Sequence, residues 1–252
     1  DLHRLIRRQR QMCIRDSTII DPGDEILIPS PGYASYKSQV LMAGGKPIPY
    51  RLKEDDEFQP DVEEISEMIT DRTKAILINS PSNPTGMVFS YDVIKEIADL
   101  AADENLVVIS DEAYERIIYE NAYHVSLASL PGMMHRTISI FTFSKTYAMT
   151  GWRIGYAVAD KEIISEMTKL QEHLVAHPSS ISQIAAIAAL TGPDHYVKMM
   201  INEYAERRQI IIRGLSKISN IRFLKPMGAF YIFPNISMFR MSSREFTMHL
   251  LE

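Results

Sequence analysis

From Thr18 onward, short runs of aliphatic and β-branched residues alternate with longer helix-like segments, and Gly, Pro, Asn or Asp marks each change of pattern. The turn Asp21-Pro22-Gly23-Asp24 feeds a predicted strand at 25–29. A helix over 33–43 stops at Gly44-Gly45, and the next strand covers 46–50. A helix at 62–69, a strand at 74–79 (KAILIN) and a helix capped by Ser90 follow, the last with Val93, Ile94, Ile97, Ala98 and Ala101 on one stripe. Further strands fall at 106–110 (LVVIS), 137–143 (TISIFTF) and 154–159. Strands that are apolar on both faces and separated by helices call for a mostly parallel sheet covered on both sides, so the fold class is α/β.

Beyond Lys161 the pattern predicts helices at 163–172, 181–191 and 196–216, strands at 221–224 and 229–234, and a helix at 243–251. Thr191-Gly192-Pro193-Asp194 breaks one helix and restarts another with Asp as its cap, which sets a boundary between units at 18–193 and 194–252. The numerous Met residues read most simply as core packing.

Residues 1–17 do not share this patterning. They carry five Arg and the single Cys, and Arg7 to Ser17 is similar to the translation of a tagmentation sequencing adapter. The segment is set aside as an adapter-derived artefact, with the expectation that the native chain is truncated at both ends. The whole chain has Lys+Arg 27 against Asp+Glu 32 and a net charge of −5, and without the opening it is more acidic and free of Cys. Such a chain offers no electrostatic footprint for nucleic acid. No apolar run is long enough to span a bilayer, and neither a disulfide framework nor a Cys/His metal spacing is present, which points to a reducing, cytoplasmic setting without metal or membrane.

Four clusters follow predicted strands, at the carboxyl edge where open α/β sheets bind ligands. They are Ser80-Pro81-Ser82-Asn83-Pro84-Thr85-Gly86, Asp111-Glu112-Ala113-Tyr114, Ser144-Lys145-Thr146-Tyr147 and Gly151-Trp152-Arg153-Ile154-Gly155-Tyr156. Singly each has an ordinary explanation: a turn, a helix cap, surface cations, a core Trp. Their order and spacing are more specific. With NSPSNPTG at 79–86, SDEAY at 110–114 and FSKTYAMTGWRIGY at 143–156, the sequence resembles the class I/II aminotransferases of the pyridoxal-phosphate fold-type I family, aspartate and aromatic aminotransferases above all.

The resemblance implies a pyridoxal 5'-phosphate cofactor, a large cofactor-binding domain and part of a smaller α+β C-terminal domain. It also implies transfer of an amino group between an α-amino acid and a 2-oxo acid, and a homodimer when full-length. By the same resemblance Lys145 is the lysine tied to the cofactor aldehyde and the group that moves the substrate proton. Asp111 pairs with the ring nitrogen. Asn83 and Tyr114 hold the ring 3'-oxygen, Ser144 and Arg153 the phosphate, and Tyr33 stacks on the ring.

Glu112, Tyr147 and Trp152 are expected to be structural. His173 and His177, taken as loop residues, receive no role, and Gly228-Ala229-Phe230-Tyr231 resembles the small-domain strand that approaches the substrate pocket, although a core role suffices to explain it. The family's phosphate-binding glycine loop is expected upstream of Asp21 and its carboxylate-binding arginine beyond Glu252, so this chain alone is expected to be inactive. Two alternatives stay open: a lyase or synthase of the same fold, and a sensor domain of a transcription regulator.

Overall fold

In the computed structural model, which describes residues 5–6 and 18–252, the chain builds one seven-stranded sheet. Its strands are β1 (Leu5–Ile6), β2 (Glu25–Ser30), β3 (Lys46–Arg51), β4 (Thr73–Asn79), β5 (Val107–Asp111), β6 (Thr137–Thr142) and β7 (Gly155–Val158), in the spatial order β1-β7-β6-β5-β4-β2-β3. Strands β2 to β6 run parallel, whereas β7 lies antiparallel to β6 and β1 antiparallel to β7. Apart from the backbone of β1, the adapter-like segment lies outside the described residues.

Alternation along the central strands separates two cores. Ile76 and Ile78 of β4 face one side with Leu27 and Val108, while Ala75 and Leu77 face the other with Ile26, Ile109 and Ile138. The first side is covered by α3 (Tyr91–Asp103) through Ile94, Ile97, Ala98 and Ala101. The second is covered by Tyr36 and Val40 of α1 (Ser35–Met42) and Met167 of α5 (Lys161–Val175). Burying each large aliphatic side chain stabilises by roughly 1.5–3 kcal/mol, so the two-sided burial fixes strand register. Helix starts follow local chemistry: Asp61 accepts from the Glu64 N–H before α2 (Val62–Glu67), and Ser90 accepts from the Val93 N–H.

Several expectations need correction. The strands predicted at 221–224 and 229–234 are not strands; Arg222 and Asn235 form a single antiparallel bridge, and the segments find no partner strand among the described residues. Asp194 stands at the start of α7 (His195–Leu215) but does not cap it, because its carboxylate is engaged by Arg116 at 2.8 Å. His173 belongs to α5 rather than to a loop. Trp152 is 45% exposed and not core, and Met199, Met238 and Met248 are also exposed, whereas Met87, Met133, Met149 and Met167 pack as expected. The remaining helices, α6 (Ser180–Thr191) and α8 (Ser243–Leu251), fall where the periodicity placed them. No helix among the described residues is long and apolar enough to cross a membrane.

Candidate active site

Because β4, β5 and β6 are parallel neighbours, their carboxyl ends meet at one edge, with Asn79 level with Asp111 and Asp111 level with Ile140. Asn79 is buried and joins two of the loops. Its side-chain amide donates to the Asp111 carbonyl at 2.9 Å, and its side-chain oxygen accepts from the Asn83 N–H at 2.8 Å. Asp111 is 1% exposed. One carboxyl oxygen accepts from the Tyr36 hydroxyl at 2.8 Å and the other from the Ala113 N–H at 3.2 Å. Tyr33 packs edge-on against Tyr36 at 5.5 Å, so it reaches Asp111 through that ring.

At the end of β6 the Thr142 side chain accepts from the Ser144 N–H, which starts the single turn α4 (Phe143–Thr146) and fixes the direction of Lys145. Lys145 Nζ lies 5.0 Å from the centroid of the Phe230 ring and 5.9 Å from that of Tyr114, a cation–π arrangement on two sides. The Tyr114 hydroxyl meets the Tyr231 hydroxyl at 2.6 Å.

Phe230 and Tyr231 arrive from far along the chain, and two glycines permit it. A Cβ on Gly86 would meet Pro226 Cβ at 2.6 Å and the Tyr231 carbonyl at 2.7 Å, and one on Gly228 would meet Pro81 Cβ at 2.7 Å. With no side chain there, the Gly86 carbonyl accepts from the N–H groups of both Met227 and Gly228 at 2.8 Å.

Ser144 and Arg153 are joined through Thr150, whose hydroxyl donates to the Ser144 carbonyl at 3.1 Å and whose carbonyl accepts from Arg153 Nη1 at 2.9 Å. Arg153 holds a left-handed backbone, φ 52°, which turns its side chain back along this loop. The structure therefore brings Lys145 directly to Tyr114, and links Asn83, Tyr33 and Ser144 to their neighbours through Asn79, Tyr36 and Thr150.

Behind this edge lies a second set of polar groups. Glu112, buried, accepts from the hydroxyls of Ser126 and Ser139 at 2.9 and 2.7 Å and bonds His124 Nε2 at 2.9 Å, which accounts for the structural role expected of it. Glu115 accepts from the Thr146 hydroxyl at 3.0 Å. Burial pushes its carboxyl up to about 7, against the opposing effect of that bond. Burial also raises the Tyr119 hydroxyl to about 12 and the Tyr156 hydroxyl higher still.

Tyr36, Asn79 and Glu115 were not singled out from sequence, and Tyr231 was noted only through the resemblance of 228–231 to a strand that approaches the substrate pocket. Tyr36 had a signal, since it follows Tyr33 by one helical turn, and Asn79 stands inside a quoted motif. For Tyr231 the resemblance was the signal, because its approach depends on a long-range contact that local pattern does not carry. Among the described residues no group of three or more His, Cys, Asp and Glu is placed to hold a metal ion.

With this geometry in place, comparison with known proteins is specific. A family model described as aminotransferase class I and II matches residues 11–252. The aspartate aminotransferase of Pyrococcus abyssi is 43% identical over 237 residues, 93% of this chain and 61% of that protein. Aromatic-amino-acid aminotransferase 2 of Thermococcus litoralis is 39% identical over 240 residues, 94% of this chain and 61% of that protein. Among solved structures, the aromatic aminotransferase from Pyrococcus horikoshii OT3 superposes with a TM-score of 0.95 at 40% identity, covering 99% of this chain and 68% of that one. The chain thus spans about 61% of the length of these curated relatives.

Proposed function

The chain belongs to the class I and II aminotransferases, and on that basis we propose that it serves transfer of an amino group between an α-amino acid and a 2-oxo acid, with pyridoxal 5'-phosphate as cofactor. The observation that carries the proposal is the meeting of Lys145 with Tyr114 beside the strand end that holds the buried Asp111.

The donor set suits the cofactor. It offers an amine for an aldehyde, a buried carboxyl for a ring nitrogen, a phenol and an amide for a ring oxygen, and a hydroxyl with a guanidinium for a phosphate. When bound, the cofactor supplies an aldehyde that condenses with amines and a ring that accepts the electrons left as Cα loses its proton. The Lys145 amine removes the proton at the substrate Cα and returns one, acting as general base and then acid. Asp111, oriented by Tyr36 and Ala113, would pair with the ring nitrogen of a bound cofactor and favour its protonated form. Tyr114 and Asn83 would hold the ring through its 3'-oxygen, Ser144 and Arg153 would hold the phosphate, and Tyr33 would supply an aromatic neighbour to the ring. Phe230 stands beside Nζ, its ring centroid 5.0 Å away, as a cation–π neighbour.

Names of relatives support aspartate or an aromatic amino acid as donor. The same proposal includes a division into units at 18–193 and 194–252, a cytoplasmic setting and a homodimer. Exposed Ile181, Ile184 and Ile187 on α6 favour the last. Borohydride reduction of cofactor-loaded protein, followed by peptide mapping, tests the assignment. The pyridoxyl group is expected on Lys145, and a label on Lys161 or Lys169 would overturn it. Transfer of labelled nitrogen from aspartate to a 2-oxo acid tests the reaction.

A further inference from the structure

Two phenols meet beside Lys145, and the chemistry above uses only one of them. The Tyr231 hydroxyl lies 2.6 Å from that of Tyr114, and the two rings meet edge to face with centroids 5.6 Å apart. Tyr114 is 1% exposed, whereas Tyr231 is half-buried and aims its hydroxyl inward at Tyr114.

The backbone that carries Tyr231 is held without this contact. The Gly228 N–H donates to the Gly86 carbonyl at 2.8 Å, the Ala229 N–H donates to the Ile117 carbonyl at 2.8 Å, and the Tyr119 hydroxyl donates to the Ala229 carbonyl. Packing against Tyr114 and Phe230 calls for a ring at position 231, and a phenylalanine would meet that need. The oxygen is what remains to be explained.

Donor inventory restricts what that oxygen does. A phenol carries one proton and can also accept. In the role proposed above, Tyr114 directs its proton to the ring oxygen of the cofactor. The 2.6 Å contact then persists only with Tyr231 as donor and the Tyr114 oxygen as acceptor. Hydrogen bonds in such a chain polarise one another, so the Tyr114 proton is shared more fully with the ring oxygen.

We propose that Tyr231 is a positioning residue that acts through Tyr114, donating to its hydroxyl so that Tyr114 binds the cofactor's ring oxygen more strongly in its deprotonated form. The inference rests on Lys145 and Tyr114 as assigned above. It deepens that reading by adding the residue that stands behind Tyr114.

Among the described residues, the titratable groups packed around Tyr114 are Lys145 of α4, Tyr119 of the same connection, Tyr204 of α7 and Tyr231, with Asp111 and Glu115 in its own loop. Each is common to the proteins compared below except at the position changed, so their charges cancel in the comparison.

The test is the absorbance of the chain loaded with pyridoxal 5'-phosphate, titrated across pH. A donor to the ring oxygen favours the deprotonated chromophore and so lowers the midpoint at which it loses its proton. Tyr231→Phe keeps the ring and is expected to raise that midpoint by about half a pH unit, about threefold in the equilibrium constant. Tyr114→Phe should raise it by about one unit or more, and the double variant should match Tyr114→Phe, because Tyr231 acts only through that hydroxyl. Tyr119→Phe removes a different hydroxyl, one that ties the same segment through Ala229, and should leave the midpoint in place.

If Tyr231→Phe does not fold, as judged by near-UV circular dichroism, 3-fluorotyrosine at position 231 decides alone. It is a stronger donor of nearly the same shape and should lower the midpoint instead. An unmoved midpoint in the deciding variant, an equal rise in Tyr119→Phe, or additive rises in the double variant would overturn the inference. Borohydride mapping on the same samples separates it from the reading beneath. A pyridoxyl label on Lys145 with an unmoved midpoint rejects only the role of Tyr231. A label on another lysine, no label at all, or no rise in Tyr114→Phe rejects the underlying assignment and the inference with it.

Discussion

Two buried tyrosines allow the strength of the Asp111 anchor to be measured against an internal standard. Tyr36 and Tyr50 are each 1% exposed, and each hydroxyl donates a buried hydrogen bond. Tyr36 donates to the Asp111 carboxyl at 2.8 Å, and Tyr50 donates to the backbone carbonyl of Leu77 at 2.9 Å. Substitution by Phe keeps the ring in both, so neither variant opens a cavity of consequence, and the difference between them isolates the acceptor. A bond to a charged acceptor contributes about 1.5–3 kcal/mol, whereas a neutral one contributes about 0.5–1.5 kcal/mol. Removing the Tyr36 hydroxyl also leaves Asp111 Oδ2 without that donor in a buried site, while the Leu77 carbonyl stays within the β4 ladder. Tyr36→Phe is therefore expected to lower the urea unfolding free energy at neutral pH by about twice as much as Tyr50→Phe. A double-mutant cycle with Asp111→Asn completes the measurement, since a real bond gives a coupling energy of about 1 kcal/mol or more between positions 36 and 111. Equal losses for the two Phe variants, together with zero coupling, would show that Tyr36 is packing and that Asp111 is held by other means.

Three further outcomes are expected. Asp111→Asn should slow proton removal from the substrate Cα far more than it weakens cofactor retention, and Arg153→Ala should do the reverse, with cofactor occupancy by absorbance and single-turnover rates as the readouts; equal occupancy with equal loss of rate would refute this division of roles. Gly86→Ala forces a Cβ to within 2.6 Å of Pro226 at a backbone φ of +71°, so it should destabilise by about 1–3 kcal/mol and raise hydrogen exchange in the 226–231 segment while leaving α3 unchanged. Glu115 should give a stability term that depends on pH. Its folded value of about 7 lies above the ordinary 4.5, so the folded state retains a proton that the unfolded state releases. The stabilisation is then fully present below pH 4.5 and is lost as pH rises through about 7. The term amounts to a few kcal/mol at most, about 1.4 kcal/mol per unit, and Glu115→Gln should flatten that slope in urea midpoints measured across pH.

How much of this was legible from sequence follows from the range over which each determinant acts. The central strands were readable because burial on both faces leaves continuous aliphatic runs, as in KAILIN and LVVIS, and their helices because one stripe of α3 faces the sheet. The site residues on strand ends were readable for the same reason: a parallel sheet brings Asn79, Asp111 and the end of β6 to one edge whatever the loops do. The antiparallel direction of β7 was not readable, since the same apolar pattern suits either direction and the tight α4 turn that reverses the chain carries no separate signature.

The segments at 221–224 and 229–234 show the opposite failure. Their residues favour strands, yet a strand needs a partner, and among the described residues the first has an isolated bridge at Arg222 while the second is only flanked by bridges at Gly228 and Asn235. Their composition is instead explained by a contact that composition and periodicity do not announce, and that only the family resemblance of 228–231 suggested. Gly86 and Gly228 lack the atoms that would keep the loop after β4 away from the 226–231 segment, and that approach delivers Phe230 to Lys145 and Tyr231 to Tyr114. The motif residues thus supply the groups proposed to react, and two glycines 142 positions apart in number, 86 and 228, decide what stands against them. Substitution at Gly228 should therefore disturb the environment of Lys145 without touching any strand of the sheet.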